Sequence, residues 1–232
     1  MSDFLHFSEH TLQEVALSFM ALVYITRLIW LLHFAAGRER QAPTGSKDTN
    51  PTKGFIYSWA NIAMPWAMES TRTKFFLYLQ FVSFHLGVTA AIALSFVIPY
   101  APSLLDSPAL VILLQTIIGL AFIVGVMRII RRVAGPYMRA ISSPDDYFSL
   151  LLLTVWFAFA FLSVPNSTAG GEWHLIIYFI LTAFFLAYVP FSKISHYLYY
   201  PFTRYYLGKT MGRRGVYPVR RIPRSDTTRT VQ

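Results

Sequence analysis

Five long apolar runs organise the chain, at 13–35, 75–99, 108–130, 147–164 and 173–196. Each is close to the ~20 residues that a helix needs to cross the hydrocarbon core of a bilayer. Between the runs the pattern turns polar. Residues 41–54, QAPTGSKDTNPTKG, are rich in turn formers and read as a flexible loop. Residues 54–68, GFIYSWANIAMPWAM, are aromatic and apolar but too short to cross, which predicts an interfacial segment. Two helix starts are written plainly. Ser143-Pro144-Asp145-Asp146 supplies a capping hydroxyl, a proline for the first helical position and two carboxylates for the positive end of the helix dipole. Ser107-Pro108 opens the third run in the same way. The pattern therefore predicts an all-α membrane bundle of five transmembrane helices over residues 1–207, followed by a basic tail at 208–232.

Composition agrees with that class. The chain is 55% hydrophobic, 17% aromatic and only 13% charged, outside the range of soluble domains. It contains no cysteine, which excludes disulfides, thiolate zinc sites, iron–sulfur clusters held by this chain and thioether-linked haem. Any iron–sulfur chemistry belongs to a partner. No basic residue precedes Arg27, unlike the start of a signal peptide, so the first span is expected to be retained.

The net charge of +9 is first a topology signal. Arg38, Arg40, Lys47, Lys53, Arg72 and Lys74 lie between the first and second runs, and Arg128, Arg131, Arg132 and Arg139 between the third and fourth. Eight more basic residues follow the fifth run, whereas the loops holding Asp106 and Glu172 have none. The positive-inside rule then places the N-terminus outside and the C-terminus in the cytoplasm of a multi-pass inner-membrane protein. Basic residues used for orientation and for anionic headgroups leave little case for a nucleic-acid partner. The tail after Tyr200 is either a solvated orienting device or a docking segment for a cytoplasmic partner.

Candidate chemistry rests on histidine. His85 lies well inside the second run, and His196 ends the fifth after a PFSK turn. A polar ring in a span is costly without a role, and neutral imidazole is a good ligand for iron. His85 is 11 residues past Lys74, about 16 Å along a helix, so the two rings are expected to meet in the cytoplasmic half and clamp a haem between helices. Gly87 would reduce side-chain bulk for the approach of a flat macrocycle. The plainer reading of His85 is a core histidine bonded to a neighbouring carbonyl.

FHLG at 84–87, SPDDYFSLL at 143–151 and PFSKISH at 190–196, on five spans, resemble the gamma subunit family of respiratory nitrate reductase. The likeness spans about residues 13–207. It is greatest to the membrane cytochrome b subunits of the Hmc (high-molecular-weight cytochrome), Dsr (sulfite-reduction-associated) and heterodisulfide reductase complexes. That resemblance implies haem b held by His85 and His196 as axial ligands. It also implies electron transfer between a quinone pool, menaquinone being the candidate, or an extracytoplasmic cytochrome and a cytoplasmic iron–sulfur, heterodisulfide reductase-like subunit. Further membrane and extracytoplasmic cytochrome subunits would complete an anaerobic respiratory complex.

The departures from the family pattern bear on cofactor number. Its second haem uses positions that are Ser95 and Tyr178 here, and neither is a suitable imidazole ligand, so one haem b is predicted. Eighteen residues separate Tyr178 from His196, five whole turns if the helix is unbroken. His174, His33 and Arg27 remain candidates for a secondary haem or quinone site, with His6 or His10 as helpers for His174. Arg27 could instead snorkel, or pair with a haem propionate. Two rival readings are a haem-free membrane anchor and a small transporter; the latter is weakened by the lack of carboxylates in the middles of spans two to five. No nucleophile, metal triad or phosphate loop points to catalysis within the chain, which reads as a non-catalytic subunit of an oxidoreductase.

Overall fold

A computed structural model describes residues 2–34, 37, 42, 45–64 and 73–219. Among these the regular structure is entirely helical: α1 (Asp3–Glu9), α2 (Thr11–His33), α3 (Pro51–Ala63), α4 (Phe75–Tyr100), α5 (Pro108–Ala134), α6 (Pro136–Ala140), α7 (Pro144–Ser163), α8 (Trp173–Tyr188) and α9 (His196–Arg213). Short 3-10 turns cover Pro102–Asp106, Val189–Phe191 and Lys193–Ser195. Five stretches are long and apolar enough to cross a membrane, namely Asp3–His33, Phe75–Tyr100, Pro108–Ala134, Pro144–Ser163 and Trp173–Phe191. They match the five apolar runs except at the start of the first, which begins at Asp3 where residue 13 was expected, and at the end of the last.

The chain divides into two compact units. The first holds Met1–Phe34 and Lys74–Ser195, the second Ala35–Thr73 and His196–Gln232. The boundary expected after residue 207 thus runs through α9. The reason is local: the polypeptide breaks at Val189–Ser195, so what reads as one long span plus a tail is a span, a double turn and a separate helix.

In the first unit α4 packs on α5, α5 on α7, α7 on α8 and α8 on α2. The shared core includes Phe84, Leu94, Ile118, Ala121, Phe157, Tyr178 and Phe179, all buried. Small residues permit the closest approaches, as they do generally between spans. A Cβ on Gly87 would fall on the Cβ of Ala121, so Gly87 serves the α4–α5 contact and does not open space for a macrocycle. A side chain on Gly125 would meet the Thr154 hydroxyl at 2.6 Å. Large apolar residues such as Ile25, Ile29, Trp30, Phe96, Ile112 and Leu151 are exposed, as lipid-facing positions are.

The second unit is built on α3 and α9. Asn50 caps α3 by accepting from the Lys53 amide at 2.8 Å, with Pro51 next in the chain. The loop expected at 41–54 therefore already contains the first turn of a helix, and the expected interfacial segment is helical through Ala63, its last residues lying outside the described ones. The α3–α9 contact is backbone on backbone. A Cβ on Gly208 would meet the Gly54 carbonyl at 2.7 Å and the Ser58 Cβ at 2.6 Å. Ser58 donates to the Arg204 carbonyl (2.9 Å), and the Arg204 guanidinium returns the bond to the Ser58 carbonyl (2.9 Å). The residues after Tyr200 form, as far as Arg213, a packed helix and no loose tail; 220–232 lie outside the described residues.

Candidate functional site

His85 is held by its own helix. Its Nδ1 lies 2.8 Å from the carbonyl oxygen of Phe81, one turn back on α4. A carbonyl only accepts, so Nδ1 carries the proton; in the neutral ring the ligating lone pair is then on Nε2, the arrangement usual for a metal-binding imidazole. The Phe81 ring lies beside it at 4.1 Å between centroids. The neighbouring Phe84 turns the other way, into the core against Phe157 at 5.2 Å. His85 itself is exposed. The plainer expectation is therefore half right: the histidine does bond a neighbouring carbonyl, but it is not in the core.

The direction of that exposed face follows from helix geometry. Tyr100 comes fifteen residues after His85, a rotation of about 60° at 100° per residue. Tyr100 reaches toward α2, donating to the Glu14 carboxylate at 3.1 Å, and its ring meets His10 edge-on at 5.5 Å. His85 thus looks toward the side on which α2 stands. The two helices meet at the Tyr100–Glu14 end.

His196 is the first residue of α9 and is exposed. It belongs to the second unit and His85 to the first. The turn at Val189–Ser195 removes the unbroken register on which a shared face for Tyr178 and His196 depended. Tyr178 instead sits wholly inside the first unit, donating to the Ala91 carbonyl at 2.5 Å and stacked near Trp156. Trp156 donates to Thr182 (2.9 Å), and Thr182 to the Tyr178 carbonyl (2.8 Å). Ser95 donates to the Ile92 carbonyl at 2.7 Å.

The secondary candidates separate. Helices α2 and α8 run parallel, since Gln13 donates to the Phe179 carbonyl (2.7 Å) and Arg27 to the carbonyl of Pro190. His174 is at the first of these ends, beside Trp173, and His33 is past the second, beside Phe34. They are not brought together. His6 and His10 stack on each other with centroids 4.7 Å apart. Among the described residues no three His, Asp or Glu side chains gather to hold a metal ion. Arg27 has a structural task that sequence reading missed. Its guanidinium serves a carbonyl freed where α8 breaks and covers the Phe191 ring at 5.0 Å, a cation placed at a helix C-terminus.

Two of the motif segments meet. The amide and hydroxyl of Ser143 both donate to Asp146 Oδ2 (2.8 Å each), closing the start of α7 as a capping residue should. Lys193, from the PFSK turn, reaches Ser143 Oγ at 2.8 Å and the Asp146 carboxylate at 3.0 Å. Arg132 of α5 approaches the same carboxylate at 3.8 Å. Tyr188 donates to Asp145 and lies 3.0 Å from Ser149. The two acids thus cap and clamp α5, α7 and the end of α8. Only the opposite charges of Asp146 and Lys193 in the sequence hint at this, across a separation of 47 residues.

Haem held by two histidines needs two neutral imidazoles. His85 has its Nδ1 on the Phe81 carbonyl, and His196 is an exposed imidazole at the start of α9. No protein-family model matches the chain, and no curated protein matches it.

Proposed function

We propose that the chain is a membrane-embedded haem b electron-transfer subunit of an anaerobic respiratory complex, with His85 and His196 as the axial ligands. The observation that carries this reading is the presentation of His85: an exposed imidazole within a span, its tautomer set by the Phe81 carbonyl so that Nε2 can ligate. A haem b held by two imidazoles supplies reversible one-electron chemistry between ferric and ferrous iron. Phe81 and Tyr78 lend His85 an aromatic border on the outward face of α4. His196 follows directly on the PFSK turn, whose Lys193 is anchored to α7 through Asp146. That anchor limits the freedom of the residues leading to His196.

One haem per chain is the reading that Tyr178 supports, because its hydroxyl bridges α8 to the α4 backbone at the level where a second ligand would be needed. The distribution of arginine and lysine supports an orientation with the N-terminus outside and residues 128–146 and 200–219 in the cytoplasm, in the inner membrane. That face offers Arg139 and Arg213 to a cytoplasmic iron–sulfur subunit, and Arg suits bidentate contacts with acidic groups. A menaquinone or an extracytoplasmic cytochrome would complete the route. The direct test replaces each ligand in turn. His85→Ala and His196→Ala should each abolish the low-spin b-type spectrum while the chain still inserts; an unchanged spectrum in both would refute the assignment.

A further inference from the structure

The arginines of α5 are arranged around a cleft whose lining includes neither candidate haem ligand. Arg128, Arg131 and Arg132 stand at i, i+3 and i+4, which places them on one face of the helix. That face borders a cleft of about 340 Å³ lined by these three arginines and by Leu77, Gln80, Phe81, Met138 and Leu150. Compensation within the protein is incomplete. Arg132 is the one of the three near a carboxylate, 3.8 Å from Asp146, and it also donates to Ser142 at 2.5 Å. Arg128 lies over the Phe84 ring at 4.7 Å, its charge facing an aromatic surface. The Arg131 guanidinium makes no hydrogen bond or ion pair to any described residue. Two guanidinium groups therefore share an apolar-walled cleft without an anion.

We infer that this cleft binds the phosphate of an anionic glycerophospholipid. Guanidinium groups suit phosphate oxygens, with Gln80 as a neutral donor beside them. Basic pockets between membrane spans are suited to anionic headgroups. The remaining wall, Leu77, Phe81, Met138 and Leu150, is that of a site for the start of an acyl chain, which a free phosphate ion would leave unfilled. The inference does not depend on haem.

The test uses the full chain purified in mild detergent, titrated with phosphatidylglycerol or phosphatidylcholine and read by native mass spectrometry. Phosphatidylglycerol should bind in preference to phosphatidylcholine. Arg131→Gln should weaken it about fivefold, the factor matching the ~1 kcal/mol that a basic group gains near anionic lipid, with Arg131→Lys restoring most of the loss. Arg139→Gln is the control, since Arg139 does not line the cleft and donates to the Val133 carbonyl (2.9 Å). Haem content, measured on the same samples, should be the same in all variants. Equal binding of both lipids, or an Arg131→Gln variant that binds like Arg139→Gln, would overturn the site. Displacement of the lipid by inorganic phosphate would overturn its assignment to a phospholipid.

Discussion

The hydroxyl of Tyr178 donates to the carbonyl oxygen of Ala91 at 2.5 Å, tying α8 to α4 through a wholly buried contact. Ala91 lies on the core face of α4, and His85 six residues earlier lies on the exposed one. One helix thus combines a packed seam with a candidate ligand face, and Tyr178 belongs to the seam. Tyr178→Phe should keep the ring packing against Trp156 and Phe179 and lose only the bridge. A loss of about 1 kcal/mol in thermal or denaturant unfolding in detergent is expected, with haem content unchanged. Loss of haem in this variant would place Tyr178 at the cofactor.

The α3–α9 contact leaves no room for a side chain at Gly208, where a Cβ would stand 2.7 Å from the Gly54 carbonyl. Gly208→Val cannot relieve this by rotating a flexible tip, because the colliding atoms are the Gly54 carbonyl, the Phe55 Cα and the Ser58 Cβ. It should cost at least 1–3 kcal/mol, roughly the range for overpacking, and raise amide hydrogen exchange across 51–63 and 196–213. Exchange in α5 and α7 should not change. Unaltered protection in α3 would show that the glycine contact is not what holds this unit.

Glu172 gives a pH-dependent prediction. Its carboxylate accepts from the Ser2 amide at 2.9 Å and from the Ser2 hydroxyl, and those bonds hold its pKa below the usual carboxylate value. A depressed folded-state value means stabilisation that is full above the unfolded pKa and lost as pH falls through the folded one. Protection factors in α1, exchange rates corrected for the intrinsic chemical rate at each pH, should therefore fall from about pH 5 down to about pH 3, and Glu172→Gln should already be poorly protected at neutral pH and lose that dependence. An acid response unchanged in Glu172→Gln would assign it to other carboxylates.

How much of this was legible in the sequence depends on how local the cause is. The start of α7 was readable because serine, proline and two acids lie in one turn and cap the same helix. The five spans were readable because burial in lipid needs only length and apolarity. The end of α8 was not. An apolar run continues through Pro190, and the break shows only where Arg27, 163 residues away, donates to the Pro190 carbonyl in the turn. Gly87 was misread for a similar reason, since the partner that needs its missing Cβ is Ala121 on another helix. His85 stands out in the sequence as a histidine inside an apolar run, but its tautomer and exposure depend on side-chain direction, which hydropathy does not carry.

The measurement that tests the central claim most directly is quantitative pyridine haemochrome analysis of the purified chain against its protein concentration. One bis-histidine site built from His85 and His196, with Tyr178 occupying the seam, predicts haem b at a ratio near one and a low-spin spectrum. A ratio near zero would contradict the assignment of a haem, and a ratio near two would show that His174 or His33 has found a partner and that the single-haem account is wrong.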